Sequence, residues 1–455
     1  YVRWKVDLPV PDESITPRFV LTTIDQAVYR SRRSPSGPVH INCMFREPLV
    51  SNNTAASETG GDLVAWRESG APLTAYGSSL MALDDAQLQG MAGFLGDEQN
   101  GILVVGRLQS EREREAVLRL ARRLNWPTLP DISSGLRLGI EDKCVVPYYD
   151  LILLSLFSGL SGCKTVLHLG GQVTSKRLLQ LLDSDHIENY IRVAEHPYRH
   201  DPNHRVTSRI EANLTDTCFA LAALIDSSEA SPMATVQKQS AAVDRIVEDM
   251  TSQGNLNEPA VCRLISKNIH DLSALWLASS LPIREMDSFA SFSGPAVPVG
   301  CNRGASGIDG TIASAVGYAR GLDRPVTVVI GDLAFLHDLN SLSLVRNSTQ
   351  PIIIVVLNNN GGGIFSFLPV AEEKDVFEQF FAAPHDLGFE SAAKMYGLNY
   401  CHPGTRDEFV ACYTDAQKAI GKVTSSIIEV TCDRQENFDL QQEIAQVLGN
   451  VLDEL

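Results

Sequence analysis

The sequence has no uninterrupted apolar run of the roughly 18 residues that a membrane-spanning helix requires. It lacks a C-x-x-C pair, and its nine cysteines are scattered along the chain, which favours reduced, intracellular thiols. Basic residues are outnumbered, 38 against 55 acidic ones, and the formal net charge of -17 argues against non-specific binding to nucleic acid. We therefore expect no membrane span and no nucleic-acid partner. Any anionic ligand must be held by a local basic cluster.

The chain also lacks an initiator methionine, a signal peptide and a transit peptide at its start. Its first residues, YVRWKVDLP, lead into strand-like material. The pattern from Phe19 to Tyr29 predicts a helix, and PVHINCMF predicts a strand that closes a unit near Leu49. Fifty residues are fewer than the roughly 100 to 150 of a doubly wound domain. We expect this unit to be the tail of a domain whose larger part precedes this chain.

Beyond this unit, the composition predicts a linker followed by two α/β units. The linker contains SNNTAASETGGD, a stretch of Ser, Asn, Thr and Gly. Strand and helix then alternate, with GILVVG, EREREAVLRLARRL, TVLHLGG and KRLLQLL in one unit and VTVVIGD, PIIIVVLNN and SSIIEVT in the other. Alternation implies parallel sheets, and continuous Val/Ile runs are typical of strands buried on both faces. The predicted fold class is α/β, with doubly wound parallel sheets in both units.

Two strands of the last unit end on polar residues. VTVVI ends on Gly331 and Asp332, PIIIVVL ends on Asn358 and Asn359, and the helix-like DLNSLSLVRN lies between them. This β-α-β crossover makes the strands parallel, so their carboxyl ends meet at the edge where such sheets bind ligands. Carboxylate and amide oxygens suit Mg²⁺, and the glycines after Asn360 let the backbone approach a diphosphate. Taken alone, Asp332 is better explained as a helix cap and the Asn and Gly residues as a turn. The two together predict a metal and diphosphate site.

The same motifs carry a family resemblance. GDL at Gly331 and NNN at Asn358 resemble the thiamine diphosphate (ThDP) motif, with Asp332 and Asn359 27 positions apart. Together with CNRGASGIDGTIASAVGYARG, NNNGGGIFSFLP and HINCMFREPL, they resemble the 2-succinyl-5-enolpyruvyl-6-hydroxy-3-cyclohexene-1-carboxylate (SEPHCHC) synthases, the MenD family. In that family, Leu333 in place of the usual glycine is expected. The resemblance spans essentially the whole chain, and HPYRHDPNHRVTSRI is similar to the multifunctional phylloquinone-biosynthesis version in photosynthetic eukaryotes.

The resemblance implies roles for particular residues. Asp332, Asn359 and the carbonyl of Gly361 would bind Mg²⁺ (or Mn²⁺). The backbone of Gly331, Leu333 and Ile364 would contact the diphosphate. Ile308 would support the bent cofactor. Phe365 and Leu368 would line the pocket and, with Ile308, are implied catalytic positions. The implied substrate-binding positions are Lys176, Arg177, Ser280, Arg284 and Arg303, the last also placed with the catalytic residues. Each basic residue alone would more often be a solvated surface charge.

The family resemblance also implies an activity and a domain plan. Its members decarboxylate 2-oxoglutarate and add the succinyl semialdehyde carbanion to isochorismate, in menaquinone and phylloquinone biosynthesis. The implied domains are the C-terminal part of a pyrimidine-binding domain (1–50), a linker (51–78), a central domain (79–236) and a diphosphate-binding domain (237–455). The catalytic glutamate belongs to the N-terminal domain, and no residue here can be assigned that role. We expect this fragment alone to be incomplete.

The assembly and location are expectations of the same kind. The family implies a homodimer or homotetramer with the active site at the subunit interface, and the eukaryotic version implies fusion to other pathway enzymes. A chain from a photosynthetic eukaryote would lie in the plastid, and otherwise in the cytoplasm.

Three alternatives remain open at this point. The chain could be a non-catalytic ThDP-fold binding or scaffold module that lacks the glutamate. It could also be another ThDP-dependent 2-oxoacid decarboxylase or an acetolactate-type synthase. Finally, His196, His200 and His204 are spaced by four and suggest zinc, but Pro197 and Pro202 interrupt any helix that would align them. We prefer a surface loop there.

Overall fold

The computed structural model describes residues 2–12, 14–47, 61–77, 79–155, 158–226, 233–304, 307–418 and 424–455. The chain divides into two compact units. The first comprises residues 1–83, 194–199 and 211–213, and the second comprises residues 84–193, 200–210 and 214–455. None of the helices in the described ranges combines the length and the apolar content that a bilayer-spanning helix needs.

The first unit contains one β-α-β crossover. Strands β1 (Trp4–Leu8) and β2 (Val39–Cys43) pair in parallel, and helix α1 (Pro17–Arg32) connects them. The hydroxyl of Thr16 caps this helix by accepting a hydrogen bond from the N–H of Phe19 at 3.2 Å, and proline suits its first turn. The helix and the strand predicted for this segment are confirmed.

Part of the predicted linker 51–78 is helical. Helix α2 occupies Gly61–Ser69, whereas residues 51–60 and Ser78 lie outside the described residues. The predicted domain boundaries remain predictions.

The second unit begins with a sheet whose described strands follow the order β4-β3-β5-β6-β7. The pairs β4–β3, β3–β5 and β5–β6 are parallel. The strands are β3 (Gly101–Val105), β4 (Thr128–Pro130), β5 (Thr165–Leu169), β6 (Asn189–Ala194) and β7 (Ser208–Glu211). The helices are α3 (Asp85–Asp97), α4 (Glu111–Leu124), α5 (Tyr149–Ile152), α6 (Lys176–Leu182), α7 (Leu214–Leu224) and α8 (Met233–Thr251).

A second sheet in the same unit follows the order β12-β13-β11-β10-β8-β9 in the described ranges, and each neighbouring pair is parallel. Its strands are β8 (Ala274–Leu277), β9 (Val299–Cys301), β10 (Val326–Gly331), β11 (Ile352–Asn358), β12 (Asn399–Cys401) and β13 (Ser426–Thr431). Its helices are α9 (Glu258–Asn268), α10 (Leu281–Phe289), α11 (Thr311–Leu322), α12 (Asp332–His337), α13 (Leu342–Arg346), α14 (Lys374–Val376), α15 (Glu390–Tyr396), α16 (Arg406–Gln417) and α17 (Arg434–Asp453).

This second sheet is covered on both faces. Along β11, Ile353 and Val355 point into one buried cluster with residues of α9, α10 and α16. Ile354 and Val356 point into another, with residues of α11, α12 and α15. Side chains alternate along a strand, so a strand buried on both faces must be apolar throughout. The predicted doubly wound parallel α/β fold is confirmed.

The predicted crossover helix DLNSLSLVRN is interrupted. A 3₁₀ turn at Leu339–Ser341 precedes the short helix α13. The carboxylate of Asp338 accepts hydrogen bonds from the N–H groups of Ile312 (2.5 Å) and Ala313 (3.1 Å) at the start of α11. Because Asp338 is committed to capping another helix, the crossover is built from short pieces.

The prediction that all nine cysteines are reduced was wrong for one pair. Cys401 on β12 and Cys412 on α16 form a disulfide, and the other seven cysteines are free thiols. Packing of the helix beside the strand brings these two residues together, with their Cα atoms 6.4 Å apart. A search for C-x-x-C spacing could not find this pair.

Candidate active site

The sheet order places the predicted site residues at one edge. Gly331 at the end of β10 lies beside Leu357 of β11, so the residues that follow both strands are neighbours. β8 and β9 continue the row. Beyond their ends, the hydroxyl of Ser279 donates to the carbonyl of Asn302 at 2.5 Å, which links the segments that carry Ser280 and Arg303.

Asp332 is buried at the first position of α12, with 2% of its surface exposed. Its Oδ1 accepts a hydrogen bond from the N–H of Leu333 at 2.6 Å, and its Oδ2 accepts one from the N–H of Gly361 at 2.9 Å. Burial raises the pKa of this carboxyl, and these hydrogen bonds together with His385 partly offset the rise. The N–H of Leu333, which was expected at the diphosphate, is thus used by Asp332.

Each of the three asparagines from the last residue of β11 onward has a different partner. Asn358 donates from Nδ2 to Glu429 Oε1 at 2.7 Å, on the side of β13. Asn360 Oδ1 accepts from the N–H of His385 at 2.9 Å. Asn359 donates from Nδ2 to Glu258 Oε1 at 2.8 Å. Asn359, the predicted metal ligand, therefore has a hydrogen-bond partner that neither Asn358 nor Asn360 shares.

The oxygen of Asn359 fits a cation site. Asn359 Oδ1 is buried and has no hydrogen-bond partner among the described residues, although buried polar atoms are normally paired. The carboxylate of Asp332 follows the adjacent strand, and the carbonyl of Gly361 accepts one bond, from the N–H of Gly363 at 3.1 Å, which leaves its second lone pair. Carboxylate, amide and carbonyl oxygens are the ligands of Mg²⁺ and related hard cations.

The glycine at position 361 is required by close packing of the backbone. Gly361 has φ +132°, and a Cβ there would lie 2.0 Å from the carbonyl oxygen of Ala382. Protein atoms therefore fill the space on the Cβ side of Gly361, whereas the expected contact of its backbone with a diphosphate and metal stays a prediction. Gly331 is different, because a Cβ there would meet no heavy atom of the described residues within 4 Å.

His385 was missed by sequence reasoning. Its Nε2 lies 3.2 Å from Asp332 Oδ2, and its Nδ1 accepts from the N–H of Leu387 at 3.0 Å. That bond places the proton of a neutral ring on Nε2, facing the carboxylate. His385 stands 53 positions after Asp332 in a segment without a recognisable motif, so spacing carried no signal for it.

Two buried glutamates were also missed. Glu258 and Glu285 have 1% and 2% of their surfaces exposed, and the Oε2 atom of each has no hydrogen-bond partner among the described residues. Burial raises the pKa of both carboxyls, and the charge of Glu258 raises that of Glu285 further. In the sequence, Glu258 is indistinguishable from an ordinary acidic residue in the first turn of a helix.

The structure brings together three of the predicted substrate-binding residues. Arg284 on α10 donates to the carbonyl of Ser280 at 2.6 Å, and Ser280 lies beyond the end of β8 with φ +78°. Burial lowers the pKa of Arg284, and the nearby charge of Arg303 lowers it further. Two guanidinium groups that repel each other at one edge of an acidic protein form a local positive field.

Of the basic pair on α6, one member is tied to this region. Arg177 forms an ion pair with Asp150 at 2.6 Å, and the same carboxylate oxygen accepts from Ser288 Oγ at 2.8 Å. Ser288 lies one helical turn after Arg284 on α10. Lys176 is exposed, and no contact within the described ranges places it with the other predicted substrate-binding residues.

The predicted apolar residues have different environments. Ile308 is half-buried and packs against the cluster beneath α11. Phe365 makes an edge-to-face contact with Phe381, with ring centroids 5.6 Å apart. Ile364 is half-buried beside Phe365, and Leu368 is exposed.

Comparison with known families agrees with this geometry. Residues 60–277 match a family model described as "Middle domain of thiamine pyrophosphate". Residues 273–430 match one described as "Thiamine pyrophosphate enzyme, C-terminal TPP binding domain". A crystal structure of a thiamin diphosphate-dependent enzyme from Mycobacterium smegmatis superposes with a TM-score of 0.63 over 94% of this chain and 76% of that one, at 18% identity, which supports the fold.

Several relatives bear one name, 2-succinyl-5-enolpyruvyl-6-hydroxy-3-cyclohexene-1-carboxylate synthase. The protein from Rubrobacter xylanophilus is 44% identical over 98% of this chain and 76% of its own length. The protein from Salinibacter ruber is 38% identical over 100% of this chain and 77% of its own length. The protein from Chlorobium phaeobacteroides is 37% identical over 100% and 78%, respectively.

Proposed function

Because this chain belongs to the family of SEPHCHC synthases and carries the C-terminal TPP-binding domain, we propose that it decarboxylates 2-oxoglutarate and adds the product to isochorismate with a divalent cation. The observation that carries the proposal is the buried, unpartnered Oδ1 of Asn359 beside the strand that ends at Asp332. When bound, thiamine diphosphate supplies the electron sink for the decarboxylation. The scaffold module and the other decarboxylases are not favoured by these relatives.

The cation would be held by Asp332, Asn359 and the carbonyl of Gly361. These are hard oxygen donors, and Mg²⁺ and Mn²⁺ both accept such ligands together with phosphate oxygens. The open space beside Gly331 would admit the diphosphate. A bound cation would neutralise the charge that this ligand brings to the buried carboxylate.

The substrates would be oriented from the ends of β8 and β9. Arg284 and Arg303 lie there, and guanidinium groups bind carboxylates in a fixed geometry. Arg177 and Lys176 would add to the attraction of anionic substrates. Ile308 and Phe365 would line an apolar wall that excludes water from the reacting groups.

We also propose that the protein works as a homodimer or homotetramer. The support is a group of exposed apolar side chains in the segment that follows β11, namely Leu368, Val376, Phe380 and Leu387, because exposed apolar patches of this kind often mark interfaces. Light scattering should then give two or four times the chain mass of 49.6 kDa. A monomer at micromolar concentration would contradict this assignment.

The cation assignment is tested by binding. We expect Mn²⁺ to bind in the presence of thiamine diphosphate, detected as loss of the free-ion electron paramagnetic resonance signal, and Asp332→Ala to abolish this binding. Asp375→Ala, at an exposed carboxylate of α14, is the matched control and should bind as the parent does. In the native polypeptide, Asp332→Ala should also abolish product formation from 2-oxoglutarate and isochorismate. Unchanged Mn²⁺ binding in Asp332→Ala would exclude this metal site.

A further inference from the structure

We propose that Asp150 is a positioning residue that orients Arg177 toward a carboxylate of a substrate. The inference rests on the proposed function, in which Arg177 is one of the substrate-binding residues. Asp150 lies in α5, and its Oδ2 accepts a hydrogen bond from Nη1 of Arg177 in α6 at 2.6 Å. The two residues are 27 positions apart, so packing between the two helices, and not local sequence, brings them together.

The ion pair joins a buried carboxylate to a guanidinium group that solvent can reach. The exposed fraction is 6% for the side chain of Asp150 and 37% for that of Arg177. A guanidinium carries five N–H donors in a planar fork, and within the described ranges Asp150 is the one hydrogen-bond partner of this group. The other donors of Arg177 can therefore bind an anion while the bond to Asp150 limits how the fork is turned.

Asp150 is itself held from two sides by serine hydroxyls. Ser175 Oγ donates to its Oδ1 at 2.5 Å, and Ser288 Oγ donates to its Oδ2 at 2.8 Å. Ser175 also caps α6, because its hydroxyl accepts from a backbone N–H in the first turn at 3.0 Å. Ser288 lies on α10, one turn after Arg284. The carboxylate thus relates α6 to α10, and each of these helices carries a predicted substrate-binding arginine.

Two explanations of Asp150 predict opposite effects on substrate binding. If its charge only reduced the positive field, Asp150→Ala would strengthen the attraction of a dicarboxylate, because like charges repel. If Asp150 orients Arg177, the same change should weaken binding, since the released guanidinium turns into solvent. Asp150→Asn separates position from charge. Its amide oxygen can accept from Arg177 and Ser288, and its NH₂ can donate to the hydroxyl oxygen of Ser175, which accepts as well as donates.

The experiment measures KM and kcat for 2-oxoglutarate and for isochorismate with the native polypeptide. Arg177→Ala identifies the substrate that Arg177 binds, as the one whose KM rises. For that substrate, Asp150→Ala should raise KM about 5 to 30 times, because a misplaced arginine loses part of a charge-assisted hydrogen bond. The kcat should stay within about twofold of the parent, since this contact is made equally in the bound substrate and the transition state. Asp150→Asn should return KM to within about threefold of the parent, because it retains the hydrogen bonds.

Asp142→Ala is the matched control. The side chain of Asp142 is also buried, with 8% exposed, and it pairs with the exposed Arg122 at 2.7 Å. Its Oδ1 accepts from a backbone N–H as well, at 3.0 Å. Because Arg122 is not among the predicted substrate-binding residues, Asp142→Ala should keep the parent KM for both substrates. All variants are compared by thermal unfolding, so that KM is read only where the protein is folded.

Each outcome decides between the inference and its alternatives. If Asp150→Ala keeps or lowers the KM that Arg177→Ala raises, Asp150 has a structural or purely electrostatic role, and the inference is overturned. It is also overturned if Asp142→Ala raises that KM equally. If Arg177→Ala changes neither KM, the assignment of Arg177 in the proposed function fails, and the inference fails with it.

A second variant covers the case in which Asp150→Ala does not fold. The hydroxyl of Asp150→Ser can still bond to the two serines, which preserves packing, but it is too short to reach Arg177. This variant should therefore raise the same KM, and a parent KM in the folded Asp150→Ser protein would overturn the inference.

Discussion

Gly361 and Gly331 should respond in opposite ways to the same added methyl group. In Gly361→Ala, the new Cβ would stand 2.0 Å from the carbonyl oxygen of Ala382, at a backbone φ of +132° that side chains rarely adopt. In Gly331→Ala, the Cβ would meet no heavy atom of the described ranges within 4 Å, at an ordinary φ of -76°. The first change should damage the fold, whereas the second should damage only ligand binding.

The magnitude for Gly361→Ala has two parts. A side chain in this backbone region costs about 1 to 3 kcal/mol. The carbonyl of Ala382 also accepts the N–H of Gly362 at 2.6 Å, and moving it away would forfeit about 1 kcal/mol of hydrogen bonding. The expected loss is about 2 to 4 kcal/mol, a large share of the roughly 5 to 15 kcal/mol that stabilises a folded domain.

Scanning calorimetry of the ligand-free chain measures the first effect, and titration calorimetry with thiamine diphosphate and Mg²⁺ measures the second. We expect Gly361→Ala to unfold at a clearly lower temperature than the parent. Gly331→Ala should unfold at the parent temperature and bind the cofactor at least tenfold more weakly, which corresponds to a loss of about 1.4 kcal/mol of binding free energy. If both variants lose stability equally, or if Gly361→Ala is as stable as the parent, the assignment of these two glycines to packing and to ligand space is refuted.

Two further predictions concern buried polar groups. Glu429 accepts hydrogen bonds from Asn358 Nδ2, the N–H of Phe389 and the hydroxyl of Tyr400, so Glu429→Gln turns an NH₂ toward a donor. Glu429→Gln should lower the free energy of unfolding in urea by about 1 to 3 kcal/mol. A glutamate-to-glutamine substitution at an exposed position should leave this free energy unchanged. Burial lowers the pKa of His168 to about 3 from an unfolded value of about 6.5. The stability that its neutral form provides is present above pH 6.5 and is lost as the pH falls toward 3, at up to about 1.4 kcal/mol per pH unit. His168→Gln should therefore reduce the slope of the free energy of unfolding against pH between pH 6.5 and 3. An unchanged slope would contradict this prediction.

Much of the fold could be predicted from the sequence, because its strands are continuous apolar runs. VTVVIG and PIIIVVLN are buried on both faces of a parallel sheet, and only such a position requires apolar residues without alternation. The interrupted crossover could not be predicted, since it depends on Asp338 capping α11. The disulfide between Cys401 and Cys412 likewise depends on how a helix packs on a strand.

Some residues of the candidate site could likewise be found from the sequence, and others could not. The positions of Asp332 and Asn359 followed from two strand ends that any parallel crossover would bring together. The partner of Asn359 lies 101 positions away, on a helix of ordinary composition, and no local pattern distinguishes Glu258 from a helix cap. The residues proposed to bind the cation can therefore be found from the sequence, whereas the side chains that contact them depend on packing between distant segments.

The charges at this edge of the sheet are separated along the strand order. Asp332 follows β10, and the buried Glu258 of α9 contacts Asn359 after β11, so an anionic diphosphate approaching there meets carboxyl groups in a poorly solvated place, where repulsion between like charges is strong. Arg284 and Arg303 lie beyond β8 and β9, where burial and, after it, the charge of Arg303 lower the pKa of Arg284. Under the proposed function, a divalent cation would therefore be needed not over β8 and β9 but over β10 and β11. We expect the diphosphate to lie there, and the substrate carboxylates to lie over β8 and β9, where no metal is required.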